Sequence, residues 1–261
     1  MGDQADTGVV RVMKSSDSLR LLRELLLHRN KDWRQHDPDR DGCVLATFVN
    51  PLTVHVLNQA PEYAEVLGKF DLIQPDGGLL ARHATRVLGF PVARRSFDGN
   101  SLAPEVFAHC VTNGLRVGFI GGVDGVASAA SGRIQDAFGM DVKYTRSGFF
   151  SAAAEVSTCY DEIISNGVDV VVCGMGAPYQ DRFLVGLKEA GWRGLGFTCG
   201  GYLDQVVDSG IEYYPALVNR LNLRAPYRLI REPRRLWRRY LLEYLPFMWA
   251  DLIVRLSRTQ R

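Results

Sequence analysis

Leu115-Arg116-Val117-Gly118-Phe119-Ile120-Gly121-Gly122-Val123-Asp124-Gly125 joins a short apolar run to a glycine-rich turn, and a helical pattern follows over Val126 to Phe138. The same unit recurs downstream. Asp141 to Thr145 reads as a strand and Ala152 to Ser165 as a helix. Asp169 to Cys173 is a very apolar strand, followed by Gly174-Met175-Gly176-Ala177-Pro178 and a helix from Gln180 to Ala190. Leu195 to Cys199 is one more strand, ending at Gly200-Gly201. Strands that are apolar throughout are buried on both faces, and intervening helices supply the cover. The pattern predicts an α/β fold, a Rossmann-like, mostly parallel sheet with helices on both faces.

Upstream the alternation continues with a strand over Cys43 to Val49, a helix over Leu52 to Leu67, a strand over Phe70 to Gln74 and a helix over Gly77 to Leu88. Before it, Leu21, Leu22, Leu25 and Leu26 recur at helical spacing within Ser18 to His28, and Asn30 to Gly42 is a charged loop. After Tyr213 the alternation stops. Three parts are expected: an N-terminal helix and lead-in over 1–42, an α/β domain with the candidate site over 43–210, and a basic, amphipathic, membrane-associating helical appendage over 211–261.

With 261 residues, 46% hydrophobic and 23% charged, the chain can bury a full core. Five scattered Cys without a CxxC pair suggest neither a disulfide framework nor a zinc site, so a reducing cytoplasm fits. The acidic start, with Asp3 and Asp6, argues against a signal peptide. The apolar region from Leu241 to Val254 is interrupted by Glu243, Pro246 and Asp251 and falls short of the ~20 residues a membrane span needs.

The charge is unevenly placed. Residues 220–261 hold eleven Arg, no Lys and three acids, a net +8 in a chain whose total is +2. Arg binds phosphates bidentately and stays charged when partly desolvated, so this segment points to a phosphorylated substrate, an anionic membrane surface, or both. Trp237, Tyr240, Leu241, Tyr244, Met248 and Leu252 share a helical stripe flanked by Arg235, Arg238 and Arg239, which suits the headgroup boundary. Pro246 is expected to kink or break this helix.

Ligands of an open parallel sheet bind beyond the carboxyl ends of its strands. Three such places are glycine-rich: Gly121-Gly122, Gly174 with Gly176, and Gly200 with Gly201. Glycine lets backbone N–H groups approach a phosphate closely, and it also makes ordinary tight turns. None matches a Walker loop, and the first is not a full GxGxxG fingerprint. Asp76 stands between a strand and a helix, placed for general-base work or for helix capping, and spacing alone favours the cap. Arg94 and Arg95 are positioned to clamp a diphosphate, and Gln180 to orient a hydroxyl or phosphate. Five dispersed His show no ligand spacing, so no metal site is expected.

Together these segments resemble the WecG/TagA/CpsF family of bacterial glycosyltransferases (glycosyltransferase family 26). The resemblance covers roughly residues 43 to 245 and rests on motifs in order: Thr47-Phe48-Val49-Asn50-Pro51, Pro75-Asp76-Gly77, Arg95 before Phe97-Asp98-Gly99, Phe119-Ile120-Gly121-Gly122 and Ser147-Gly148-Phe149-Phe150. It continues through Gly174 to Asp181, Gly200-Gly201-Tyr202-Leu203-Asp204, Leu223-Arg224-Ala225-Pro226 and the block from Arg231 to Tyr240. Departures at Thr47-x-x-Asn50, Arg95-x-x-Asp98 and Pro178-Tyr179-Gln180-Asp181 place it on an exopolysaccharide-type branch.

The resemblance implies an inverting transferase moving a sugar from a UDP-sugar to a polyprenyl-diphosphate-linked saccharide at the inner face of the cytoplasmic membrane. By it Asp76 is the general base, while Thr47, Asn50, Arg95, Gln180, Arg224 and Arg231 contact substrate. Gly121, Gly122, Gly174, Gly176, Gly200 and Asp204 surround the nucleotide. The resemblance also implies binding that needs no metal or other cofactor. The expected partners are these two substrates and an anionic membrane surface, with room for a homo-oligomer. Read from the residues alone, a dinucleotide-binding or non-catalytic module of a polysaccharide assembly complex stays open. Nucleic acid is disfavoured because the body is acidic and the aromatics of the tail follow a helical stripe.

Overall fold

A computed structural model describes residues 14–211, 227, 229–230, 237 and 244–259. Six strands form one parallel sheet: β1 (Val44–Val49), β2 (Leu72–Pro75), β3 (Arg116–Gly121), β4 (Asp141–Arg146), β5 (Val170–Gly174) and β6 (Leu195–Thr198), in the order β2-β1-β6-β5-β3-β4. The chain winds outward from β1 to β2, crosses to β3 and β4, then returns to fill the middle with β5 and β6. Loops leaving neighbouring strands therefore diverge near β1, β6 and β5, which opens a crevice at their carboxyl ends.

The helices are α1 (Ser15–His28), α2 (Pro38–Asp41), α3 (Pro51–Gln59), α4 (Tyr63–Gly68), α5 (Gly78–Leu88), α6 (Leu102–Asn113), α7 (Val126–Phe138), α8 (Ala153–Ser165), α9 (Tyr179–Glu189), α10 (Tyr202–Ser209) and α11 (Leu245–Thr259). Side chains of a strand alternate between faces, and two cores result. Leu45, Val49, Ile73, Val171 and Cys173 meet α1, α3, α4, α5, α8, α9 and α11. Val44, Ala46, Phe119, Val170, Val172 and Phe197 meet α6, α7 and α10.

Several elements differ from the sequence expectation. The helix expected over 52–67 is two helices, because Pro61 stands where the first would continue. Helix α6 lies in a stretch to which the pattern assigned nothing, and it buries Leu102, Val106, Phe107 and Cys110. The loop over 30–42 holds a single 3-10 turn (Trp33–Gln35) and α2. Pro246 sits in the first turn of α11, where a missing N–H costs nothing. Tyr240, Leu241 and the arginines at 235, 238 and 239 lie outside the described residues, as do Arg224 and Arg231. All five cysteines are buried and free. No described helix is long and apolar enough to cross a membrane.

Candidate active site

At the carboxyl ends of β1, β2, β5 and β6 lies a cavity of about 540 Å³. Asp76, Arg82, Arg94, Asp98, Gln180, Tyr202 and Tyr244 are among the residues lining it. Asp76 is the first residue past β2, where its N–H donates to the Val49 carbonyl at 2.7 Å. The N-cap of α5 falls one residue later, on Gly77, with φ 86° and ψ 139°. That backbone is open to glycine and to few other residues. The tight exit leaves the Asp76 carboxylate on the cavity wall instead of folded over the helix as a cap.

Arg94 holds that carboxylate. Its Nη2 lies 3.3 Å from Asp76 Oδ1, 3.0 Å from Asp98 Oδ2 and 2.5 Å from Ser96 Oγ. One guanidinium thus ties two acids together and offsets their mutual repulsion. The segment carrying it runs beside β2, with the Arg95 N–H bonded to the Pro75 carbonyl at 3.1 Å. Arg94, Ser96, Phe97 and Asp98 line the cavity, Phe97 also packing on Phe107 and Tyr202, while Arg95 pairs with Glu105 at 3.8 Å. Arg95 does not line the cavity.

Gln180 joins two glycine turns. Its Oε1 accepts from the Gly176 and Gly200 N–H groups, each at 3.1 Å. Since two donors converge on one atom, that atom is the oxygen, and the amide NH₂ is left for the cavity that Gln180 lines. Gly176 and Gly200 line the same cavity; Gly121, Gly122, Gly174 and Asp204 do not. Gly121 and Gly174 have a packing role: a Cβ on Gly121 would stand 2.4 Å from the Gly174 carbonyl oxygen. Asp204 is in the first turn of α10.

Asn50 lines the cavity while its Oδ1 caps α3 through the Leu52 N–H at 2.9 Å. Thr47 lies beneath the floor, 2% exposed. Its Oγ1 donates to Asp181 Oδ1 at 2.6 Å and lies 3.0 Å from Thr198 Oγ1. Tyr63 OH donates to the other Asp181 oxygen at 2.9 Å. Burial pushes the Asp181 carboxyl up to about 6, against the pull of these two hydrogen bonds. Among the described residues, no three His, Cys, Asp or Glu converge as a metal cluster.

The last helix closes one side. Tyr244, just before α11, lines the cavity. Within α11, Phe247, Ala250 and Asp251 are buried. Asp251 Oδ1 lies 2.6 Å from His83 Nδ1 and 2.5 Å from Arg86 Nη1, both on α5, and Oδ2 accepts from Arg255 Nε at 2.8 Å. Burial raises the Asp251 carboxyl, but hydrogen bonds from His83 and Arg255 and the charge of Arg86 outweigh it and hold the group below its usual range. The opposite face of α11 exposes Leu245, Met248, Trp249, Leu252, Ile253 and Leu256. Tyr244 is thereby separated from the stripe in which sequence spacing had placed it.

The parallel sheet thus opens at its carboxyl ends on a guanidinium-held carboxylate and on cross-linked glycine turns. The chain belongs to the WecG/TagA/CpsF family of glycosyl transferases, whose family model matches residues 22–261. It is 32% identical over 205 residues to a UDP-Gal:alpha-D-GlcNAc-diphosphoundecaprenol beta-1,4-galactosyltransferase of Shigella boydii, an alignment covering 78% of this chain and 84% of that protein.

Proposed function

We propose that the protein transfers a hexose, with inversion, from a UDP-sugar to a polyprenyl-diphosphate-linked saccharide during cell-surface or exopolysaccharide synthesis. Asp76 takes the proton of the acceptor hydroxyl as its oxygen attacks the anomeric carbon. The bond from that carbon to the diphosphate breaks, and UDP leaves with the electron pair. The observation that carries this reading is the Asp76–Arg94 contact on the wall of a cavity that Gln180 and its two glycine turns also line. The similarity to the galactosyltransferase supports the choice of substrates. Arg224, Arg231 and backbone N–H groups take the charge of the leaving diphosphate, so activity is expected to survive EDTA.

The enzyme works on the inner face of the cytoplasmic membrane, held there by the exposed apolar face of α11 and the arginine-rich sequence before it. The test is UDP release from UDP-galactose with an undecaprenyl-diphosphate-linked GlcNAc acceptor. Asp76→Asn is expected to lose about a thousandfold in kcat while keeping UDP affinity, in the range for removing a general base. Unchanged turnover in that variant would remove Asp76 from the mechanism.

A further inference from the structure

Among the described residues two guanidinium groups line the cavity, and they are not equivalent. Arg94 is consumed by Asp76 and Asp98. Arg82 is exposed and makes no hydrogen bond or ion pair with any described residue. Its Nη1 lies 3.9 Å from where a Cβ on Gly78 would stand, so the head group folds over the first turn of α5. It adds positive charge to a helix N-terminus that already favours anions.

The position of Arg82 decides which anion. Gly176 and Gly200 mark the β5 and β6 end of the cavity, whereas Asp76 follows β2 at the sheet's edge. In an inverting displacement the nucleophile and its base stand opposite the leaving group, so the acceptor enters from the Asp76 side. Past Asp76, helix α5 carries Arg82, then His83 and Arg86, which bind Asp251 of α11. Beyond them lies the exposed apolar stripe of α11. Sugar hydroxyl, diphosphate and isoprenoid follow one another in a lipid-linked acceptor in that same order.

Resting on the transferase reading above, we propose that Arg82 binds the diphosphate of the lipid-linked acceptor and not that of the sugar donor. The full chain is titrated by calorimetry with farnesyl diphosphate and, separately, with UDP. Arg82→Gln, which keeps helix propensity, is expected to weaken farnesyl diphosphate about tenfold or more and leave UDP unchanged, with Arg82→Lys losing less. In turnover the acceptor KM rises and the donor KM stays. Equal farnesyl diphosphate binding by wild type and Arg82→Gln overturns the assignment, as does a wild type that does not bind it. A loss confined to UDP overturns it too, by placing Arg82 on the donor. Should the Arg82-dependent binding be found without UDP release from any donor, the subsite stands and the transferase reading falls.

Discussion

His83 and Asp251 are 168 positions apart in sequence and meet at 2.6 Å, tying the helix that begins beside Asp76 to the last helix of the chain. Both side chains are nearly buried, at 6% and 8% exposure. Asp251→Ala is expected to cost about 2 kcal/mol, below the usual loss for a broken buried pair because Arg255 is half exposed. Asp251→Asn, which keeps an acceptor for His83, should lose less. Urea unfolding measures both, and an unchanged Asp251→Ala midpoint would mean that α11 is held by its apolar face alone.

Gln180 offers a separation of support from binding. Gln180→Leu leaves two backbone N–H groups without their acceptor and is expected to cost about 2 kcal/mol of stability. Gln180→Glu keeps an acceptor, removes the NH₂ that faces the cavity and adds negative charge there. It is expected to fold normally yet bind the UDP-sugar at least about tenfold more weakly. Thermal melts and calorimetry on the pair read the two effects apart.

Asp181 sets a pH dependence. Its folded carboxyl is raised to about 6 from an ordinary 3.8, so the native state binds more protons than the unfolded chain between those values. Its contribution is fully present below about 3.8 and is lost as pH rises through 6. Asp181→Asn should therefore gain stability relative to wild type between pH 4 and 7, by an amount on the order of 2 kcal/mol. Urea midpoints for the two proteins that run parallel across this range would count against it.

The exposed stripe of α11 should meet a membrane surface. Trp249 and Ile253 are 68% and 54% exposed on it. Replacing both with Ser is expected to reduce cosedimentation with anionic vesicles about tenfold, and salt should partly release the wild type. Unchanged vesicle binding by the double variant would shift the contact to another surface.

All six strands are legible in the sequence: the buried parallel strands write themselves as short apolar runs between glycine-marked turns, and the polar, half-exposed edge strand β4 was read from its place in the alternation. Asp76 and Gln180 are legible for the same reason, since each directly follows a strand or its turn. Helix α6 was not, because no strand precedes it to mark its start: the stretch from Gly89 to Ser101 holds none. The choice between Arg94 and Arg95 was hidden too, since it depends on which of them meets Asp76 and which meets Glu105.

By itself the sequence determined the sheet, the direction of its strands and the loops where chemistry would gather, because these follow from period and turn residues that act locally. Only the tertiary structure decided that Arg94 and not Arg95 holds Asp76, that Thr47 supports the floor, and that Tyr244 joins the cavity. Those assignments depend on which side chains meet across distant segments, and burial and hydrogen bonding settle them only once the helices are packed on the sheet.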